Sequence, residues 1–244
     1  MTRGNRRHGR RAWGGGPSGL PPIKGYLSSP TAYYESASDS GGPGGSSTMT
    51  FCAIVYMGST PASSQHIIDR YVSATGGYRL RILTSGNARF DYVDGGPTNR
   101  SAAQVALATN SLNVIWCRLN GSSVDLRVNA TDAATGSAGT GYTSPGTHSL
   151  GIGNSGGGAN DSDEVEIYGA CFADGTVLTT GQMTTHYAAI KAAGKMVDFP
   201  TGTTFSWTGD DANASVTPWA SDTGTEDLDE TGTVTGTTRA LVWV

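Results

Sequence analysis

The chain has 244 residues, of which 36% are hydrophobic; this is enough to bury a sizeable core and excludes a chain that is disordered throughout. Glycine is frequent, with 36 residues, and long runs of helix-forming residues are nearly absent, so we expect many short strands joined by turns. The net charge of −4 hides oppositely charged ends, because basic residues precede the first acid, Glu35, and acids dominate the last part of the chain.

Residues 1–22 are rich in arginine, glycine and proline, and they are too polar to pack alone. We interpret them as a flexible basic arm that becomes ordered on a partner. No apolar stretch follows the paired arginines, so we predict no secretion signal, and no run of about 20 apolar residues predicts a membrane span. The residues expected to make the assembly contacts of the arm are Arg3, Arg6, Arg7, Arg10, Arg11 and Trp13.

Three segments in the first half of the chain predict strands. Residues 48–58 are almost continuously apolar, which is typical of a strand covered on both faces. In residues 78–92, apolar residues alternate with charged ones on both sides of a Ser-Gly-Asn turn, which predicts a hairpin with one buried and one charged face. Residues 112–130 predict a second hairpin, because Asn120-Gly121 is a strong turn signal between two β-rich runs.

The second half predicts two further strands, a helix and a polar end. The strands are "HSLGIGN" and "DEVEIYGACFA", and the helix begins at Thr179 or Thr180 and ends at Gly194. We expect residues 198–208 to add strands to the same body. The acidic, threonine-rich residues 209–244 would dock on the body or, as we favour, on a neighbour. The acids expected to meet a basic partner are Asp222, Glu226, Asp227, Asp229 and Glu230.

The order of these segments resembles that of laminin G-like domains, which belong to the concanavalin A-like lectin and glucanase jelly-roll group. Trp116, Asn120, Gly121 and Asn129 stand where this family has its tryptophan strand, its turn and the end of the next strand. The resemblance implies an all-β fold: an antiparallel two-sheet jelly-roll sandwich over 23–208, with one short helix and extended N- and C-terminal segments. It also implies a part of a tailed-bacteriophage particle, such as a capsid decoration, a head fibre or a tail protein.

The glycine-rich stretch 148–169 matches the spacing of three enzyme motifs. A dinucleotide loop (Gly151, Gly153 and Gly156) and a nucleophile elbow around Ser155 both need a helix directly after the glycines, but a predicted strand follows. A glycosidase set would need facing carboxylates, and Glu166 does not share a strand face with Asp163. We therefore predict no catalytic residues and no enzyme.

The acidic turn in the same stretch could bind a metal instead. Asp161 and Asp163 are candidate calcium ligands, and Asp69 or Asp94 could join them from other loops, because calcium prefers several carboxylate and carbonyl oxygens. A solvated acidic turn is the alternative that we favour, and we expect no other cofactor. The three cysteines, Cys52, Cys117 and Cys171, each lie in an apolar run and are predicted to be buried thiols of a protein folded in a reducing host cytoplasm.

Three functions remain open. The first is a non-enzymatic structural virion component that is homo-oligomeric within its assembly and binds other virion proteins, such as a major capsid or tail protein, through the basic arm and the acidic segment. The second is a lectin-like adhesion module for a host glycan. The third, ranked last because the body is acidic, is a capsid protein whose arm binds nucleic acid. The aromatic residues in loop-like stretches that could bind a glycan are Tyr33, Tyr34, Tyr142 and Trp219.

Overall fold

The structure is a computed structural model that describes residues 22–27, 33–36, 46–94, 99–121, 123–129, 142–144, 146, 148–154, 164–208, 228–231, 234–239 and 242–243. Within these residues the chain forms fourteen strands and one helix. The elements before the helix are β1 (Ile23–Leu27), β2 (Tyr33–Ser36), β3 (Thr48–Met57), β4 (Gln65–Val72), β5 (Gly76–Ile82), β6 (Asn87–Val93), β7 (Asn99–Ala106), β8 (Ser111–Asn120), β9 (Ser123–Val128), β10 (Gly151–Ile152) and β11 (Val165–Asp174). They are followed by α1 (Thr180–Ala193), β12 (Phe205–Thr208), β13 (Leu228–Thr231) and β14 (Thr235–Arg239).

The first antiparallel sheet has the order β14-β1-β11-β3-β8-β9. One edge of β11 pairs with β3 along its length, and the other edge is shared, since β1 pairs at Ile167 and β12 pairs over residues 169–172. Gly25 allows β1 to lie this close to β11, because a Cβ atom at this position would overlap the carbonyl of Ile167 and the ring of Tyr168.

The second antiparallel sheet has the order β13-β2-β10-β4-β5-β6-β7. Its strands align so that outward-facing residues form rows across the sheet. In one row, Asp69 of β4 lies opposite Arg79 of β5, which lies opposite Asp91 of β6. In the next row, His66 lies opposite Arg81, which lies opposite Arg89.

The main core lies between the two sheets. Phe51 of β3 stands at its centre, with its ring centroid 5.1 Å from that of Tyr78, 5.3 Å from that of Phe90 and 5.6 Å from that of Phe172. The first two partners belong to the second sheet and the third belongs to the first sheet, so one aromatic side chain joins the layers.

The helix forms a third layer on the outer face of the first sheet. Its buried residues Met183, Tyr187 and Ile190 pack on a second apolar cluster that includes Trp116 of β8. Thr179 caps the N-terminus, and Gly194 ends the helix in the left-handed conformation at φ 70°, as the sequence predicted. No helix of the described residues has the length and apolar character needed to cross a membrane.

The predicted all-β jelly-roll sandwich is confirmed, and so are both hairpins. All three cysteines are buried and free. The segment "HSLGIGN" differs from its prediction, because only Gly151–Ile152 forms a strand, and the backbone leaves the extended region at Gly153, where φ is 80°. This short strand nevertheless joins β2 to β4 in the second sheet.

The C-terminal segment contributes strands to the sandwich itself. β12 pairs with β11, as expected for residues 198–208. Further on, β13 pairs with β2 at the edge of the second sheet, and β14 pairs with β1 at the edge of the first. The preference for docking on a neighbour therefore does not describe residues 228–231 and 235–239, which lie on the body.

Candidate functional site

The β5–β6 hairpin presents charged side chains on the outer face of the second sheet. Strand alternation turns Tyr78 and Leu80 into the core, so Arg79 and Arg81 must point outward. The register of the hairpin brings these arginines to Asp91 and Arg89 on β6. The same alternation that builds the core thus gathers three arginines and one aspartate on the opposite side of the sheet.

Asp91 lies at the centre of this group and receives all three guanidinium groups. Its Oδ2 accepts hydrogen bonds from Nε of Arg79 at 3.0 Å and Nε of Arg81 at 2.8 Å, and its Oδ1 accepts one from Nε of Arg89 at 2.7 Å. The Asp91 side chain is 2% exposed, whereas those of the three arginines are 17–27% exposed. A buried carboxylate is therefore covered by cations that still reach the solvent.

The arginines also repel one another. Arg81 lies directly opposite Arg89, and like charges at directly opposed positions destabilise a sheet. Burial lowers the pKa of the Arg81 guanidinium, Asp91 raises it, and the neighbouring Arg79 and Arg89 lower it again. One carboxylate thus holds together a cluster that retains an excess of positive charge.

An aromatic ring borders the cluster on β4. The guanidinium carbon of Arg79 lies 4.1 Å from the centroid of the half-buried Tyr71 ring, a cation–π contact. We refer to Tyr71, Arg79, Arg81, Arg89 and Asp91 together as the arginine face. It combines planar cations, an aromatic ring and hydrogen-bond donors, which are groups that recognise polar ligands.

Two further residues of β4 adjoin the arginine face without joining its ion pairs. Nδ1 of His66 lies 2.6 Å from Oδ2 of Asp69, and Oδ1 of Asp69 accepts the backbone N–H of Tyr71 at 2.9 Å. Asp69 is 1% exposed and forms no ion pair with Arg79 among the described residues, although the two are opposite in register. Asp69 therefore does not neutralise the arginines.

The four aromatic residues proposed for glycan binding have different environments. Tyr34 does not lie in a loop: it is in β2, its side chain is fully buried, and its ring packs 4.9 Å from that of Tyr26. Tyr142 is mostly buried and bridges to Asp94, and burial raises the pKa of its hydroxyl. Tyr33 is half-buried on the outward side of β2, and Trp219 lies outside the described residues.

The structure does not describe the two main residues of the proposed calcium site. Asp161 and Asp163 lie outside the described residues, and Asp69 and Asp94, proposed as contributors from loops, are buried at β4 and at the end of β6. Within the part of the chain that the structure describes, no group of three or more His, Cys, Asp or Glu side chains is placed to hold a metal ion.

The proposed assembly residues lie mostly outside the described part of the chain. This applies to the whole basic arm and to Asp222, Glu226 and Asp227. Asp229 and Glu230 lie in β13, where they pair in register with Glu35 and Tyr34 of β2. Their β-sheet neighbours are thus in the sandwich.

Glu166 of the suspected glycosidase set is engaged in an ion pair. It accepts a hydrogen bond from the Tyr168 hydroxyl, and it accepts three from Arg239, whose Nε lies 2.9 Å from Oε2. Its side chain is 8% exposed. These contacts connect β11 to β14, so Glu166 serves to hold the last strand on the sheet.

Comparison with known proteins gives the family. The model of the concanavalin A-like lectin/glucanases superfamily matches residues 28–177, which is more than half of the chain. The chain belongs to this superfamily. No curated protein sequence matches it significantly.

Several solved structures resemble this chain at low sequence identity. A Bacteroides ovatus protein, whose carbohydrate-binding role is itself a proposal, has a TM-score of 0.64 at 15% identity; the match covers 92% of this chain and 62% of that one. The binding domain of botulinum neurotoxin serotype D has a TM-score of 0.47 at 11% identity, covering 59% of this chain and 37% of that one. A pentraxin from Limulus polyphemus has a TM-score of 0.44 at 12% identity, covering 71% and 78%. The chain thus spans about three fifths of the length of the first of these.

The sequence predicted a hairpin with one charged face, but the arginines on that face were not proposed as a binding site. A signal was present, because a hairpin turn at residues 84–86 fixes the register and so predicts that Arg79 faces Asp91. The contribution of Tyr71 was missed, although the short turn at residues 73–75 pairs Tyr71 with Gly77 and so places it near Arg79.

Proposed function

We propose that the protein is a non-enzymatic glycan-binding module and that its ligand lies on the outer side of the second sheet, across the arginine face. The observation that carries this proposal is the difference between the two outer surfaces. The first sheet is covered by α1 and its apolar cluster, whereas the second presents solvent-reaching guanidinium groups beside an aromatic ring. Polar, multiply hydroxylated ligands need such planar donors and aromatic surfaces.

Other features support binding at this side of the sandwich. Tyr33 of β2 lies on the same outward side, two strands from Tyr71 across β10. An oligosaccharide long enough to span β10 could therefore contact both rings. The superfamily and the Bacteroides ovatus protein agree with a carbohydrate ligand.

The proposal includes no catalysis. Glycoside hydrolysis needs two carboxyl groups that are available to the substrate, one of them as an acid. Glu166 is bound by Arg239 and Tyr168, and Asp91 is covered by three arginines. Neither Glu166 nor Asp91 is therefore in a position to donate a proton to a sugar.

The structural virion role stays a separate proposal. It rested on the basic arm, which lies outside the described residues, and on an acidic segment of which the described strands pair within the sandwich. A glycan-binding module can also be part of a particle, so the two roles are compatible. The presence of calcium, nucleic acid or other virion proteins among its partners has no support from the described residues.

Binding to an array of neutral and acidic glycans tests the proposed function, with the affinity for any ligand found then measured by calorimetry. We expect Tyr71→Ala and Tyr33→Ala to weaken binding by about fivefold or more, because aromatic residues at the centre of an interface contribute most of its energy. Tyr56→Ala, which removes a half-buried tyrosine from the first sheet, is the matched control and should bind as the original chain does. A folded protein that binds no glycan, or tyrosine variants with unchanged affinity, would refute the proposal.

A further inference from the structure

The arginine face carries more positive charge than the fold uses. Three guanidinium groups surround one carboxylate, so these four side chains together carry an excess of two positive charges. A single arginine would be enough to give the buried Asp91 a charged partner. The second and third each bring repulsion, most directly between the opposed Arg81 and Arg89. The structural role of Asp91 therefore does not explain why there are three.

The donors of these arginines are only partly used. Arg79 and Arg81 each donate to Asp91 through Nε, and neither has a hydrogen bond from its Nη atoms to any residue that the structure describes. The side chains are 21% and 17% exposed, so the ends of both groups are reachable from solvent. Because Asp91 and the Tyr71 ring fix the orientation of Arg79, its donors are positioned in advance of any ligand.

Within the part of the chain that the structure describes, the neighbouring acids on this sheet are directed elsewhere. Asp69 is directed to His66 and to the amide of Tyr71. Glu35 belongs to the same row of the sheet but is separated from Arg79 by Gly151 and Asp69. The positive excess is thus localised on β5 and β6, at one end of the outward surface.

We propose that the arginine face binds an anionic glycan, whose carboxylate or sulfate group is held by the Nη donors of Arg79 and Arg81. This inference rests on the proposed glycan-binding function and names the class of sugar. Both groups present oxygens that match the planar fork of a guanidinium, and such charge-assisted hydrogen bonds are stronger than neutral ones. An incoming oxyanion would offset one of the two excess charges and would weaken the repulsion between Arg81 and Arg89.

Calorimetry with paired ligands tests this inference. The full chain is titrated with trigalacturonate, with its methyl ester, in which the carboxylates are neutral, and with a sulfated neutral trisaccharide. We expect an anionic ligand to bind at least about tenfold more tightly than its neutral form, with the preference falling as salt is added. Tight binding of only the carboxylate or only the sulfate identifies the oxyanion, and either result supports the inference.

Substitutions locate the effect on the arginine face. Arg79→Gln and Arg81→Gln should weaken anion binding about tenfold or more, and Arg81→Lys should restore little of it, because an ammonium group lacks the planar fork. Lys195→Gln, an exposed charge beyond α1, is the matched control for net charge and should have no effect. If Arg81→Gln fails to fold, Arg79→Gln, which leaves Asp91 paired with Arg81 and Arg89, is used alone.

The outcomes separate this inference from the function on which it rests. Equal binding of acid and ester would overturn the anionic ligand, and variants that bind anions unchanged would overturn its assignment to Arg79 and Arg81; either result leaves glycan binding in place. A chain that binds no sugar at all, neutral or charged, overturns both.

Discussion

Among single residues, His186 of α1 is buried with a hydrogen-bond partner at each ring nitrogen. Its Nδ1 accepts a hydrogen bond from Nε1 of Trp116 at 3.2 Å, and its Nε2 lies 2.8 Å from the carbonyl oxygen of Val197. The carbonyl can only accept, so the proton of the neutral ring is on Nε2. Burial lowers the pKa of His186, while Val197 and the nearby Asp198 partly oppose this effect.

This environment makes the stability depend on pH. Below the ordinary histidine pKa of about 6.5, the unfolded chain binds a proton at His186 that the folded chain does not, so the free energy of unfolding rises with pH in this range. The contribution of His186 is complete above about pH 6.5 and is lost as the pH falls. Urea unfolding at pH 7.5 and pH 5 should therefore show a larger difference for the original chain than for His186→Gln. An equal pH dependence in both proteins would contradict this assignment.

Single residues also show where sequence reasoning was limited. The burial of Cys52, Cys117 and Cys171 was predictable, because each lies in a local apolar run. Tyr34 was misjudged because its neighbours in sequence are polar. Its burial results from the pairing of β2 with β10 and β13, which come more than 100 residues later in the chain. No local pattern carries that information.

Among the elements, the N-terminus of α1 allows the contribution of a helix cap to stability to be measured. The Thr179 side chain accepts the backbone N–H of Gln182 at 3.2 Å, and the Gln182 side chain accepts the backbone N–H of Thr179 at 2.8 Å. This reciprocal capping box satisfies donors that the helix itself leaves unpaired. Thr179→Ala should lower the free energy of unfolding by about 1 kcal/mol.

The neighbouring residue is a matched control for this substitution. The side chain of Thr180 is exposed at the first helical position, and its backbone carbonyl, which accepts from Thr184, is unaffected by a change of side chain. Thr180→Ala should change the free energy of unfolding by less than about 0.5 kcal/mol. Equal losses in denaturant titrations of the two variants would show that the cap is not the source of the effect.

The elements that could be predicted are those whose partners are close in sequence. The β5–β6 and β8–β9 hairpins and the helix are defined by turns, caps and alternation within about 20 residues. β10 could not be predicted as a short connecting strand, because its two residues gain their pairing only from β2 and β4. The arginine face belongs with the predictable elements, because its hairpin and the turn at residues 73–75 that places Tyr71 near Arg79 are both local.

For the whole molecule, the sheets are completed by segments far apart in the chain. β14 pairs with β1 at the edge of the first sheet, and β13 pairs with β2 at the edge of the second. These strands are short and rich in threonine and acid, with little apolar alternation, so their sequence alone does not distinguish an edge strand from a segment that docks on a neighbour.

The contacts of Arg239 give the edge at β14 a specific attachment. Its guanidinium carbon lies 4.4 Å from the centroid of the Tyr56 ring of β3, and its donors reach Glu166 of β11. Arg239→Ala should lower the free energy of unfolding by about 1–2 kcal/mol, because Glu166, with a side chain 8% exposed, loses its charged partner. We expect no larger loss, since Arg239 is 44% exposed and water screens the pair.

A second substitution separates the ion pair from the strand that carries it. In Glu166→Gln/Arg239→Ala the unpaired charge is gone, while the Tyr168 hydroxyl can still donate to the amide oxygen, so denaturant titration should show part of the stability restored. Lys24→Ala, an exposed residue on the neighbouring strand β1, should be close to neutral. If the double variant is no more stable than Arg239→Ala, the loss comes from packing on Tyr56 and not from the buried carboxylate; if neither differs from the original chain, these contacts do not hold β14 on the sandwich.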